Sequence, residues 1–285
     1  MRALVFENGK AVFRPDYPKP VAGQGDALVR VSFAGVCATD LEITKGYMGF
    51  NGVPGHEFCG VVEECADDRF EGRRVAGEIN LWCGECAFCR GGMRNHCPDR
   101  SVLGILGHDG AFADYLTLPV RNLHPLPDSI TDEEAVFIEP LAAAFEITEQ
   151  VNVSEGVRVC VLGDGRLGLL TAMALSTRGC ELTTVGRHPE KLSLLSGRGI
   201  RALTGAEGLG REFDLVADCT GRPEGFNEAL RLVRPGGVVV LKTTVAGNAK
   251  ADLNRVVIDE ITVIGSRCGP FKPAIAALAE KKVDV

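Results

Sequence analysis

The chain has 285 residues, 45% of them hydrophobic and 24% charged, with a formal net charge of −7; that is enough apolar material for two soluble domains. The acidic surplus argues against a nucleic-acid footprint, which rewards a basic face, and no run approaches the ~18 continuous apolar residues of a membrane span. Eleven cysteines accompany an amino terminus with the length of a strand and not of a signal peptide, so the expected compartment is the cytoplasm, with reduced thiols.

In chain order, 1–127 reads as short runs broken by glycine and proline, with strands predicted at 3–6, 27–33, 60–65, 74–76 and 113–117. That is the pattern of an irregular, mostly β domain. Two of its segments carry metal-ligand types, Cys37-Ala38-Thr39-Asp40 and Gly55-His56-Glu57. A catalytic zinc takes about three protein ligands of mixed sulfur, nitrogen and oxygen type and keeps one position open for substrate. Cys37, His56 and one carboxylate would meet that demand, although taken alone a solitary cysteine and a loop histidine more often serve structure. Next comes 83–97, where Cys83, Cys86, Cys89 and Cys97 stand with two, two and seven residues between them. Four thiolates so close satisfy the tetrahedral shell of Zn²⁺ and close it, so this second site is expected to build structure, with Gly91 and Gly92 bending the longer excursion. Cys65, Cys160, Cys180 and Cys219 lie in apolar or strand-like settings and read as core.

Thr131-Asp132-Glu133-Glu134 carries the signature of a capping box, and 135–150 is predicted helical with a break at Pro140. Beyond Gly156, strands predicted at 157–162, 181–185, 214–219, 238–243 and 261–265 alternate with helices at 167–178, 189–196 and 223–233. Such alternation signals a parallel sheet with helices on both faces. The stretch between Leu203 and Phe213 is too short for a full helical crossover and reads as a loop. Directly after the first of these strands, Gly163-Asp164-Gly165-Arg166-Leu167-Gly168 sets G-x-G-x-x-G at the opening of a helix, the fingerprint of a dinucleotide-binding turn. In it Gly163 permits the turn, Gly165 admits the pyrophosphate and Gly168 allows close helix packing. An acid about 20 residues further on normally bonds the ribose of NAD, but here the second strand ends Val185-Gly186-Arg187-His188. Gly186 leaves room and Arg187 offers a guanidinium fork for a 2′-phosphate, so NADP is favoured and NAD stays possible.

Taken in order, the Cys37 and His56 segments, the four-cysteine lobe, Glu139-Pro140-Leu141-Ala142, the glycine fingerprint and Asp218-Cys219-Thr220-Gly221 resemble the zinc-dependent medium-chain alcohol and polyol dehydrogenases. The Glu139-Pro140-Leu141 form is similar to the sorbitol, glucose and threonine dehydrogenase branches, where a glutamate replaces a second cysteine ligand. The resemblance implies an α/β protein: a mostly-β GroES-like catalytic domain at 1–146 with a structural zinc lobe at 80–100, then a Rossmann domain, doubly wound around a parallel sheet, at 147–268. At 269–285 a return to the catalytic domain begins, and relatives usually continue further, so the chain is expected to be truncated or naturally abbreviated. Also implied are one catalytic zinc on Cys37, His56 and Glu139 or Glu57, one structural zinc on the four cysteines, and a cofactor on Gly163, Gly165, Arg166, Leu167, Gly168, Gly186, Arg187 and Thr220. Thr39 would be the first proton carrier and Glu42 the second, in place of the histidine many relatives have there. The loop 45–51 is expected to overhang the substrate cleft, His108 to sit on a surface turn, and the strand 261–265 to be the edge through which a homodimer or homotetramer pairs. The expected reaction is hydride transfer between a small alcohol, polyol or carbonyl substrate and the nicotinamide; the alternative is a catalytically silent zinc- and nucleotide-binding member of the same fold.

Overall fold

Burial of one face of each strand organises the first part of the chain. In Asp26–Gly35 the residues Ala27, Leu28 and Val29 are wholly buried, and in Glu57–Cys65 so are Glu57 to Gly60. These two strands pair antiparallel at the centre of a five-stranded sheet, in the spatial order Leu123–Pro125, Arg74–Gly77, Glu57–Cys65, Asp26–Gly35, Tyr115–Pro119. Their register sets Gly35 opposite Glu57, so Cys37, two residues beyond one strand, and His56, one residue before the other, emerge at the same end of the sheet. A hairpin of Ala3–Glu7 with Lys10–Arg14 stands apart, and three short strands, Asn80–Leu81, Ser101–Leu103 and Gly107–His108, frame the cysteine-rich segment. This computed structural model describes residues 1–244 and 250–285. Two units are distinguished: one is Met1–Glu139 with Phe271–Lys281 and Val285, the other Pro140–Pro270 with Lys282–Asp284.

The second unit is built on a six-stranded, wholly parallel sheet in the spatial order Arg201–Leu203, Glu181–Val185, Arg158–Leu162, Phe213–Asp218, Val233–Leu241, Thr262–Gly265. Numbered along the chain this is 3-2-1-4-5-6, the doubly wound order whose reversal point lies at the first strand. The central strands read as continuous apolar runs because both faces are covered, and Val159 to Leu162 and Leu215 to Ala217 are at most 1% exposed. Arg166–Ser176 is the crossover after the first strand and Gly225–Leu232 the one after the fourth. No helix among the described residues joins Arg201–Leu203 to Phe213–Asp218; Ala206 and Leu209 from the connecting loop pack on the core in its place.

Among the differences from the sequence expectations, these bear on the architecture. The helical break lies before Pro140, between Asp132–Ala135 and Ile138–Gln150, so Pro140 occupies a first turn, where its missing N–H would have had no intrahelical partner. The short edge strand Arg201–Leu203 was not anticipated, and Val233–Leu241 starts earlier than expected, running through Pro235 and its glycines with a register shift against Phe213–Asp218. Of the four cysteines expected in the core, Cys160 is fully buried, and burial pushes its thiol up to about 12; Cys65, Cys180 and Cys219 are half-buried, although burial still pushes Cys219 up to about 11. No helix among the described residues is long and apolar enough to cross a membrane.

Candidate active site

The strand register described above brings the ligand atoms of Cys37, His56 and Glu57 within 4.8 Å of one another. Cys37 is the residue before the helix Ala38–Ile43, and its backbone N–H donates to Asp40 Oδ2 at 2.7 Å, which fixes the entry into that helix. The other oxygen of Asp40 reaches toward His56, whose Nδ1 lies 3.4 Å from Oδ1. That separation is an ion-pair approach and not a formed hydrogen bond: both atoms are buried, and neither has a hydrogen-bond partner among the described residues. Burial works against a charge on His56, but Asp40, Cys37 and the field of Glu139 outweigh it and hold its pKa well above the ordinary value. Glu57 is completely buried. Sulfur, imidazole and carboxylate donors are thus gathered in a water-poor place that rewards positive charge, a donor set that fits zinc. Of the two glutamates expected there, Glu57 belongs to the cluster, whereas Glu139, in the first turn of Ile138–Gln150, acts on His56 through its charge.

Thr39 and Glu42 lie three residues apart on one face of Ala38–Ile43. Cys37 Sγ donates to Thr39 Oγ1 at 3.7 Å, so that hydroxyl sits beside a proposed metal ligand. Glu42 is further out, 38% exposed, and its Oε1 accepts from Lys45 Nζ at 2.7 Å. In the loop 45–51, Tyr47 and Met48 are exposed, while Phe50 is buried against Phe6 and Ile43. An open cavity of about 390 Å³ lies there, bordered by Phe6, Thr44, Lys45, Phe50 and Asn51. The Nδ1 of His108 is 2.8 Å from its neighbour's carbonyl oxygen, Asp109 O, a local turn contact.

The second metal candidate is complete in itself. The sulfurs of Cys83, Cys86, Cys89 and Cys97 lie within 4.8 Å of one another, with Cys97 3.6 Å from Cys83 and 3.9 Å from Cys86. The short helix Ala87–Arg90 starts from Cys86, whose sulfur accepts from Cys89 N, and Cys86 N in turn donates to Cys83 Sγ, each at 3.4 Å. Backbone N–H groups of Glu85 and Cys86 lower the Cys83 thiol to about 7, whereas burial raises Cys89 to about 12. Four thiolates at this spacing cannot be charged together without a cation, and Zn²⁺ would supply one in tetrahedral geometry. Next to the lobe, the guanidinium groups of Arg94 and Arg121 lie over the Trp82 ring, 4.6 Å and 4.0 Å from its centroid, and Arg121 also donates to the Trp82 carbonyl.

In the second unit the glycine turn has the shape its spacing calls for. Gly163 has φ of +112°, and a Cβ there would meet the carbonyl oxygen of Cys219 at 2.6 Å; one on Gly168 would meet Gly163 O at 2.1 Å. Beside Gly165, by contrast, a Cβ would find nothing within 4 Å, the open space that a pyrophosphate needs at the start of Arg166–Ser176. Arg166 and Leu167 form the half-buried first turn of that helix. Thr220 is held by buried Asp218, whose Oδ1 accepts from Thr220 N at 2.9 Å and Oγ1 at 2.8 Å. The residues therefore fit a dinucleotide. At the end of the second strand the arrangement is not the expected one. The space above Gly186 is filled by Asp164, whose Oδ2 and Cβ lie 2.5 Å from where a Cβ on residue 186 would be. Asp164 and Asp40 were both missed as functional residues. The available signals were local: Asp164 is the one acid inside the glycine fingerprint, and Asp40 follows Cys37 at capping spacing.

A protein-family model described as "Alcohol dehydrogenase GroES-like domain" matches residues 23–128, and one described as "Zinc-binding dehydrogenase" matches residues 167–281. The D-altritol 5-dehydrogenase of Agrobacterium fabrum is 34% identical over 266 residues, covering 88% of this chain and 78% of that protein. A crystal structure of a zinc-binding dehydrogenase from Sinorhizobium meliloti 1021 bound to NADP superposes with a TM-score of 0.91 at 27% identity, over 100% of this chain and 90% of that one. An alcohol dehydrogenase of Escherichia coli CFT073 complexed with NADH gives a TM-score of 0.90 at 25% identity, over 100% and 89%. With matches at both ends, a relative above 30% identity and a sheet in doubly wound order, the chain belongs to the zinc-dependent medium-chain alcohol and polyol dehydrogenases and is an oxidoreductase.

Proposed function

We propose that this oxidoreductase moves a hydride between a small alcohol or polyol, or the carbonyl derived from it, and a nicotinamide dinucleotide. The observation that carries the reading is the convergence of Cys37, His56 and Glu57 ligand atoms within 4.8 Å. A catalytic zinc would be held by Cys37, His56 and Glu57 or Glu139, and a structural zinc by Cys83, Cys86, Cys89 and Cys97. Bound there, zinc would supply Lewis acidity that makes a substrate hydroxyl acidic, and a nicotinamide would supply the hydride acceptor. Thr39 would take the substrate's proton at Oγ1 while giving up its own hydroxyl proton toward the cofactor ribose, and Glu42, paired with Lys45 at 2.7 Å, would accept the relayed proton and release it to water. Asp40 orients the His56 ring. The altritol dehydrogenase relative supports a polyol as substrate. For the cofactor, Gly163, Gly165, Arg166, Leu167, Gly168 and Thr220 form the cradle; Arg187 speaks for NADP, and the carboxylate of Asp164 at Gly186 speaks for NAD. The enzyme works in the cytoplasm as a homodimer or homotetramer. Val257 and Ile258, 75% and 79% exposed, and Val263 on the edge strand Thr262–Gly265 support pairing at that edge.

Metal analysis tests the reading directly. We expect about two zinc ions per chain, one open and one closed site; Cys37→Ser should remove one of them together with turnover, and Cys97→Ser should unfold the lobe. A Cys37→Ser enzyme that kept both its zinc and its rate would overturn the catalytic assignment. A panel of alcohols, polyols and sugars with both nicotinamide cofactors then identifies the substrate.

A further inference from the structure

In a doubly wound fold the acid that bonds the adenosine ribose stands at the end of the second strand, and here that position is Gly186. The structure brings a carboxylate to the same place from another strand end. Asp164, between Gly163 and Gly165, is 7% exposed, and its side chain lies over Gly186 so closely that any larger residue at 186 would collide with it. Its Oδ2 accepts from the backbone N–H of Arg187 at 2.6 Å, from that of His188 at 2.6 Å, and lies 3.0 Å from His188 Nδ1. Burial alone would raise the Asp164 pKa, but the two backbone donors and His188 outweigh it and hold the carboxyl below its ordinary value.

Two consequences follow from charge and donor count. A 2′-phosphate bound after the second strand needs N–H donors and positive charge. Here the N–H groups of Arg187 and His188 already serve an internal anion, so a phosphate arriving there would lose those donors and meet a like charge. The ribose of NAD has the opposite need, since its hydroxyls donate. All three contacts of Asp164 fall on Oδ2, and Oδ1 accepts no hydrogen bond among the described residues, so it can take one from a 2′- or 3′-hydroxyl. We propose that Asp164 is the residue that selects the cofactor: it replaces the missing acid of the second strand, prefers NAD and disfavours NADP. The proposal rests on the nicotinamide-cofactor reading above and deepens it. Arg187, exposed beyond the carboxylate, is thereby relieved of the phosphate-binding role expected of it.

The test is equilibrium binding of NADH and NADPH to the zinc-loaded full chain, followed by nicotinamide fluorescence and by calorimetry, for the native protein, Asp164→Asn and Asp164→Ala. Asparagine keeps an oxygen for the N–H groups of Arg187 and His188, so it removes charge while preserving the turn; thermal melting verifies that both variants are folded. The native protein should bind NADH more tightly than NADPH. In Asp164→Asn the NADH affinity should fall and the NADPH affinity hold or rise, moving their ratio about tenfold or more toward NADPH, as expected for a hydrogen bond to a charged group. Native preference for NADPH, or equal losses for both nucleotides in Asp164→Asn, would overturn the proposal while leaving the cofactor class intact. Failure of the native chain to bind either nucleotide would overturn both.

Discussion

Asp40 links two residues of the proposed catalytic zinc site through one carboxylate. Oδ2 accepts from the backbone of Cys37 at 2.7 Å, and Oδ1 approaches His56 Nδ1 to 3.4 Å. A carboxylate behind a ligating imidazole fixes the ring and raises its basicity, and removing such a partner typically weakens metal binding ~10–100-fold. Asp40→Asn preserves an oxygen acceptor for Cys37 N but discards the charge, so we expect the helix Ala38–Ile43 to persist and zinc affinity at the first site to fall by about tenfold or more. Competition against a chromogenic chelator measures this, and an unchanged affinity would show that Asp40 is only a helix cap. At this scale the sequence was readable wherever chemistry is written in residue type. The four lobe cysteines stand out by identity and spacing, whereas Cys37 and His56 gain their meaning only in company with the lobe, Glu139-Pro140-Leu141 and the glycine fingerprint. Asp40 and Asp164 were not readable, because an aspartate becomes a site residue only when tertiary register sets another chain segment against it. Gly186 shows the same limit from the other direction: its missing side chain was legible, but not that Asp164 would fill the space.

The cysteine lobe is an element with little apolar substance of its own. Cys89 and Cys97 are buried in it, while Phe88 and Met93 are 44% and 49% exposed. Metal coordination therefore has to supply most of the lobe's folding free energy, of the order of 10 kcal/mol in small zinc-bound modules. Trp82, the one tryptophan of the chain, reports on it through its contacts with Arg94 and Arg121. Stripping zinc with a strong chelator is expected to shift Trp82 emission to the red as its cation–π contacts with Arg94 and Arg121 open, with re-addition of zinc reversing the shift. Emission indifferent to chelation would mean that the lobe holds its shape without metal. Element types in the second unit were legible for a related reason: a strand buried on both faces must read as an apolar run, and the helices between them are punctuated by glycine and proline. Boundaries were less so. Whether Pro140 breaks a helix or starts one depends on which N–H groups already lack partners, and in the strand Arg201–Leu203 only Leu203 is even partly buried, too little to write an apolar run.

At the scale of the whole molecule the chain leaves its first unit at Glu139 and returns to it with Phe271–Lys281. The return helix, Phe271–Ala279, inserts Phe271, Ala274, Ala277 and Leu278, each at most 5% exposed. Phe271 stacks on the His124 ring with centroids 5.2 Å apart, and His124 Nε2 lies 2.8 Å from Glu78 Oε1. Lys281 adds an ion pair to Glu134 at 2.7 Å, with the lysine 59% exposed. Magnitudes decide which contact matters. A surface ion pair contributes ~0–1 kcal/mol, whereas truncating a buried phenylalanine costs about 3–5 kcal/mol through lost burial and the cavity left behind. Phe271→Ala should therefore destabilise the first unit by about 3 kcal/mol or more, and Lys281→Ala by less than about 1 kcal/mol. Urea unfolding followed by Trp82 fluorescence separates these, because Trp82 lies in the first unit and senses its unfolding. An early transition in Phe271→Ala with a near-native one in Lys281→Ala is the expected result. Equal and small effects from both would mean that the first unit does not depend on the returning helix, and the chain's second crossing would then contribute nothing to its stability.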